Sequence, residues 1–239
     1  LCRLQPIEPE LGNTSVGKYG RKSSYAGSFF VKGGMNMDIG TIGWVSFGGA
    51  FLLGVIFILF QIRGLKTRDW VEIGIMLALS FALKFISKEL IPSFRIWAQG
   101  GSITLASMVP IFYLALKRGW AVGAFAGIIY SLYDFLLAPY FYHPAQFFLD
   151  YPIAFGLLGL AGLFRKNYAL SITLGGLGRL FAHFLSGVIF FASYAPEGWN
   201  PWLYSLAYNS SYMVPEILIS VYVMSLVWPR LKWAQQTAS

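Results

Sequence analysis

Apolar residues along this chain fall into long blocks, separated by short polar or basic breaks. About 20 apolar residues cross the ~30 Å hydrocarbon layer as a helix. The blocks predict seven such segments, at 41–62, 70–91, 103–117, 120–139, 145–164, 170–194 and 203–228. The third is the shortest and needs support from its neighbours. Residues 1–34 are rich in Gly and Ser and have no hydrophobic period, which predicts a flexible tail. The expected organisation is a tail at 1–40, a first membrane helix with its linker at 41–69, a membrane domain at 70–232 and a short tail at 233–239.

The breaks alternate in charge. Lys117 and Arg118, Arg165 and Lys166, and Arg230 and Lys232 mark three of them, and Arg63, Lys66 and Arg68 mark a fourth. The connections at 140–144 and 196–202 carry no Lys or Arg. Basic residues are retained on the cytoplasmic side, so the last six segments form a bundle with both ends inside, and the loop at 92–102 faces out with the two uncharged loops. The first helix then needs the stretch before Thr41 outside, although it carries Arg3, Lys18, Arg21, Lys22 and Lys32. The chain starts with Leu, and Met35 or Met37 is expected as a natural start. A cleaved signal over 35–62 is the alternative to an anchor helix. The anchor is favoured, because the apolar run exceeds a usual signal core and lacks a small-residue cleavage site.

Composition agrees with this topology. Of 239 residues 56% are hydrophobic and 12% charged, with a mean hydropathy of +0.60. A soluble domain needs more charge than that to cover its surface. The net charge of +8 follows from the basic breaks beside the apolar blocks and does not indicate nucleic acid. A single cysteine, Cys2, and two histidines, His143 and His183, offer neither a disulfide framework nor a spaced zinc set, so no metal or cofactor is expected. Phosphate-loop, dinucleotide, HExxH and GxSxG patterns are absent, and no enzymatic activity is expected.

A few polar residues interrupt the apolar blocks. In "FFLDYPIAFGLLGLAGLF" Asp150 stands one turn inside the outer end of its segment, where a carboxylate costs ~2.5–3.5 kcal/mol on insertion scales. Pro152 follows it and frees a backbone carbonyl a turn earlier. Asp150 either snorkels to the interface or pairs with Arg179, or it serves as counter-ion for a cationic solute arriving from outside. The counter-ion reading is favoured, because Asp is too short to snorkel far. In "GRLFAHFLSGVIFFASYAP" Arg179, His183 and Gly187 recur every four residues, and Phe190 or Phe191 continues the stripe. His183 makes either an ordinary helix–helix hydrogen bond or one wall of a pocket. In "NPWLYSLAYNSSYMVPE" Tyr204, Tyr208 and Tyr212 share a face with Asn209 on the adjacent one, while Trp199 and Trp202 suit an interfacial belt. Asp134 and Glu216 also lie within segments. Glu216 is expected opposite Lys84, and structure is favoured over proton relay for both acids.

From about Trp70 onward the chain resembles the thiamine-specific substrate-binding subunits, or S components, of energy-coupling factor transporters. The resemblance rests on "LASMVPIFYLALKRGWAVGAFAGIIYSL", "QFFLDYPIAFGLLGLAGLF", "RLFAHFLSGVIFFASYAP" and "PWLYSLAYNSSYM" in that order. It implies an all-α membrane bundle with a six-helix core, here with one extra N-terminal transmembrane helix, in a bacterial plasma membrane. It further implies a thiamine pocket near the outer face. Asp150 and Tyr151 fall at the family's carboxylate and following tyrosine, and His183, Gly187, Tyr204 and Asn209 match residues of its last two helices. Tyr140 aligns with a rim aromatic and Trp97 with the tryptophan that covers the ligand. Three positions depart from the family pattern: Asp150 replaces Glu, Phe191 replaces a stacking Trp, and Arg179 replaces Lys. Ala78 and Ala82 in "ALSFA" match the small-residue face that S components turn to a membrane coupling protein, itself driven by two ATPase subunits.

The chemistry of the solute fits these side chains. Thiamine joins a permanent thiazolium cation to an aminopyrimidine and a hydroxyethyl tail. A carboxylate balances the first, aromatic faces cover both rings with up to ~2 kcal/mol of cation–π gain, and Tyr or Asn groups meet the amine and hydroxyl. Two rival readings are a stand-alone proton-coupled thiamine carrier using Asp134, Asp150 or Glu216, and an intramembrane hydrolase pairing His183 with Ser186 or Ser193. Which of thiamine, its phosphates or a pyrimidine precursor binds best is open at this stage.

Overall fold

The computed structural model describes residues 39–90, 103–137, 139–140 and 143–237, all of them helix, turn or loop. In order come α1 (Ile39–Ile62), α2 (Thr67–Leu90), α3 (Val109–Arg118), α4 (Trp120–Leu137), α5 (Pro144–Phe148), α6 (Ala154–Gly156), α7 (Tyr168–Phe190) and α8 (Pro201–Thr237). Between α5 and α6 the helix widens to π geometry over Leu149–Ile153, and after α6 it tightens to 3-10 over Leu157–Gly162. These pieces therefore form one continuous but uneven span.

Among the described residues six stretches are long and apolar enough to cross a membrane: Val45–Ile62, Thr67–Ser87, Trp120–Leu137, Pro144–Gly162, Tyr168–Phe190 and Pro201–Arg230. The segment expected at 103–117 is corrected. The helix there, Val109–Arg118, is only ten residues long, because the chain before Val109 turns through Ala106 at a φ of 58°. Ten residues rise about 15 Å, half a bilayer. The helix is nonetheless the heart of the bundle, with Pro110 to Leu116 all buried.

Caps follow local chemistry. Asn167 opens α7 by accepting from Leu170 N–H at 3.1 Å, and His143 opens α5 by accepting from Ala145 N–H at 3.2 Å, with Pro144 at the first helical position. At the end of α3 the Arg165 guanidinium donates to the Leu116 carbonyl at 2.8 Å and also to the Lys117 carbonyl, which places a cation on the negative end of the helix. At the same end Lys117 reaches Glu72 at 2.5 Å, Tyr113 donates to Glu72 at 2.8 Å, and Arg118 pairs with Asp69 at 2.6 Å and with Glu72. The basic pair that marks sidedness in the sequence also fastens α3 to α2.

Backbones touch where α4 meets α6 and the 3-10 stretch. A Cβ on Gly127 would stand 2.0 Å from the Phe155 carbonyl oxygen, and one on Gly159 would stand 2.5 Å from Ala124 N. Lipid supplies no hydrophobic drive between helices, so such close van der Waals approach is what holds membrane bundles together. α1 is different. Leu52, Leu53, Ile56, Phe57 and Phe60 are more than half exposed, and the ring pairs Phe51–Phe148 (4.8 Å) and Phe57–Trp120 (5.9 Å) reach the bundle on either side of an apolar cavity of about 410 Å³. Gly54 lies on that cavity, and a Cβ there would meet nothing within 4 Å.

Gly127→Val and Gly159→Val are expected to destabilise the protein by about 3 kcal/mol or more, since the backbone cannot yield as a side chain does. Gly54→Val should shift the melting temperature of the detergent-solubilised protein by no more than a degree or two. Equal shifts at the three positions would contradict this packing.

Candidate functional site

Pro152 has no N–H to give the carbonyl four residues before it, and the helix accommodates that loss by widening around Leu149–Ile153. Asp150 stands in the widened turn and faces inward. Its side chain is 19% exposed, and both carboxylate oxygens are bonded within the protein. Gln146, one turn earlier on α5, donates its Nε2–H to Oδ2 at 2.7 Å. His183 Nδ1 lies 3.2 Å from Oδ1.

The tautomer of His183 follows from its other neighbour. Arg179 Nε, which can only donate, lies 3.2 Å from His183 Nε2. Nε2 must therefore present a lone pair, and the imidazole is neutral with its proton on Nδ1, directed at Asp150. The arrangement reads anion, neutral ring, cation. Arg179 does not touch Asp150. Its guanidinium lies 3.9 Å over the Phe155 ring and donates from Nη1 to Met108 Sδ at 2.9 Å.

α8 closes the other side. Asn209 is buried, donates Nδ2–H to the Ser205 carbonyl at 2.9 Å and the His183 carbonyl at 3.3 Å, and accepts from the Tyr212 hydroxyl at 2.7 Å. Ser205 donates to the Phe184 carbonyl at 2.8 Å. Gly187 permits this contact between α7 and α8, since a Cβ there would lie 2.2 Å from Ser205 Oγ. The stripe Arg179, His183, Gly187 thus resolves into a cation, a relay ring and a gap for the neighbouring helix.

Aromatic rings flank the group. Tyr204, Tyr208 and Tyr212 follow one another along α8 at 6.2 and 5.8 Å, and His183 meets Tyr212 edge-on at 6.3 Å. Phe191, which caps α7, stands 5.9 Å from Tyr140 and 5.8 Å from Tyr194. Partial burial and then the bond to Tyr194 push the Tyr140 phenol up to about 12, so it stays protonated at any physiological pH. Tyr151 turns away from His183, toward Phe135 at 5.1 Å and Phe147 at 5.6 Å. Trp97 lies outside the described residues. Ala78 and Ala82 are exposed, one turn apart on α2.

The other intramembrane acids have partners of their own. Lys84, expected opposite Glu216, makes its ion pair with Asp134. Glu216, buried at 3% exposure, accepts from Thr104 N–H at 2.7 Å and from the Thr104 hydroxyl at 2.5 Å. The Ser186 hydroxyl has no hydrogen-bond partner among the described residues, and both His183 nitrogens are engaged elsewhere, so the hydrolase pairing is not formed. Sequence reading missed Gln146, although its place four residues before Asp150 is the signal that pairs side chains on one helix face. It also missed Met108 and Ser205, for which spacing within one helix gives no signal.

The described residues thus form a multi-pass bundle of apolar helices with an inward-facing carboxylate, the class of a polytopic membrane protein. The chain belongs to the family described as thiamine transporter protein (Thia_YuaJ), which it matches over residues 70–234, the S components that the sequence motifs resemble. "Thiamine transporter ThiT" of Bacillus subtilis (strain 168) is 35% identical over 181 residues, covering 67% of this chain and 92% of its own length. The protein of that description from Lacticaseibacillus paracasei (strain ATCC 334) is 34% identical over 140 residues, covering 50% of this chain and 70% of its own. The solved structure of ThiT from Listeria monocytogenes is similar, with a TM-score of 0.58 at 26% identity, covering 66% of this chain and 92% of that one.

Gly187→Ala is expected to cost about 1–3 kcal/mol by forcing Ser205 aside. Adding Ser205→Ala, which removes the nearest atom, should recover part of that loss in the melting temperature. An unchanged melting temperature in Gly187→Ala would refute the contact between α7 and α8.

Proposed function

We propose that this chain is the thiamine-binding subunit of an energy-coupling factor importer. It takes thiamine from the outer side and passes it inward through a membrane coupling protein driven by two ATPase subunits. The single observation behind this reading is Asp150, an intramembrane carboxylate held by two uncharged donors, a setting suited to a cationic solute. Family membership and the names of the relatives from Bacillus subtilis and Lacticaseibacillus paracasei supply the solute.

In this reading Asp150 balances the thiazolium, with His183 and Arg179 behind it. Tyr204 and Asn209 meet the polar groups of the ligand, and Phe191, Tyr140 and Tyr151 supply aromatic wall. Trp97 covers the site, and Gly187 leaves room at the junction of α7 and α8. The core is the six helices that follow α1, with α3 as its short member and α1 as an addition to the family plan. The exposed Ala78–Ala82 face of α2 meets the coupling protein. Against proton-driven transport, Asp134 and Glu216 are tied to Lys84 and Thr104, an arrangement suited to structure.

Mass spectrometry of the protein purified in detergent should find thiamine carried through. Asp150→Ala should keep the fold and weaken thiamine binding by about 30- to 5,000-fold, the equivalent of about 2–5 kcal/mol for removing one partner of a desolvated charge pair. Asp150→Glu, which restores the acid usual in the family, should bind. In proteoliposomes, uptake should require the coupling protein and ATPases. Tight binding by Asp150→Ala, or accumulation driven by a pH gradient alone, would refute the proposal.

A further inference from the structure

Gln146 is fully buried and gives its amide N–H to one oxygen of Asp150, while the His183 Nδ1–H holds the other. Both donors are uncharged. The guanidinium of Arg179 is kept one side chain further off, by His183 Nε2, by Met108 Sδ and by the face of Phe155. This separation matters, because a cation seated directly on the carboxylate would lower the cost of the anion and cancel its field toward a ligand as well. An amide dipole favours the ionised form through hydrogen bonding but carries no net charge to oppose an incoming cation. It also sets direction. The terminal torsion of Asp is broad and roughly two-fold, so a carboxylate bonded through one oxygen alone has freedom to turn.

We infer that Gln146 is the positioning residue that holds the Asp150 carboxylate aimed, and that the preference of the site for a cationic ring over a neutral ring of the same shape depends on it. The inference rests on the thiamine-site reading above. It assigns Gln146 no contact with the solute, so its effect is exerted through Asp150.

The test is a pair of dissociation constants, measured on the full chain purified in detergent. One ligand is thiamine, and the other is its uncharged analogue in which a benzene ring replaces the thiazolium. The ratio of the two constants reports charge recognition and is insensitive to general loosening. Gln146→Met, similar in volume but without the amide, is expected to lower that ratio by about tenfold or more, as for loss of a hydrogen bond to a charged group, while affinity for the neutral analogue changes by less than about threefold. Gln146→Asn keeps an amide but withdraws it by one methylene. It is expected to lower the ratio as well, and it serves as the deciding variant if Gln146→Met does not give a folded, monodisperse protein. Equal weakening of both ligands, or an unchanged ratio in the folded variant, would overturn the inference and leave the thiamine reading intact. A wild-type protein that binds both equally would overturn the inference alone, and one that binds neither ligand would overturn both.

Discussion

A negative charge inside an apolar bundle, held by neutral hydrogen-bond donors, is the constraint to which the rest of this architecture answers. In hydrocarbon an unpaired carboxylate is costly, and the usual remedy is an adjacent cation. Here the remedy is graded. Amide and imidazole touch Asp150, and the full positive charge of Arg179 begins beyond the ring. The group is close to neutral as a whole and polarised locally.

Each neighbouring element can be traced to that requirement. The proline after Tyr151 breaks the regular ladder, and the widened turn admits an inward Asp while Tyr151 faces the rings of Phe135 and Phe147. On α7 the four-residue spacing brings Arg179 and His183 onto one line, so a single helix supplies both cation and relay. α8 presses against that helix at Gly187, and Asn209 grips the backbone carbonyl of His183. The position of the imidazole is thus fixed from its own helix and from the next. Away from this centre, Glu216 secures Thr104 just ahead of α3, and the cluster of Glu72, Lys117 and Arg118 secures the other end of that helix.

Much of this was legible in the sequence where one helix carries the signal. Long apolar blocks gave the spans, Asp150 stood out as a charge among apolar neighbours, and the stripe on α7 could be read from period alone. What escaped were relations between helices. The short α3 reads as a span because its residues are apolar, yet they are apolar for burial against protein, and hydropathy does not separate the two causes. The pairings of Lys84 with Asp134 and Glu216 with Thr104 depend on which faces meet across the bundle. Gln146 lay within reach of a rule about neighbouring turns, but a lone glutamine in an apolar helix draws less notice than a charge.

The manner in which α1 joins the bundle has a mechanical meaning. From Phe47 onward its described contacts with the bundle are ring pairs and other apolar side chains around an apolar gap, with Ile62 buried at its end, and acyl chains are as apolar as those groups. Displacing α1 in a bilayer therefore trades one greasy surface for another of equal quality. The wall around Asp150 takes its stiffness from glycine-tight backbones and internal hydrogen bonds, and so has little need of the leading helix as a brace.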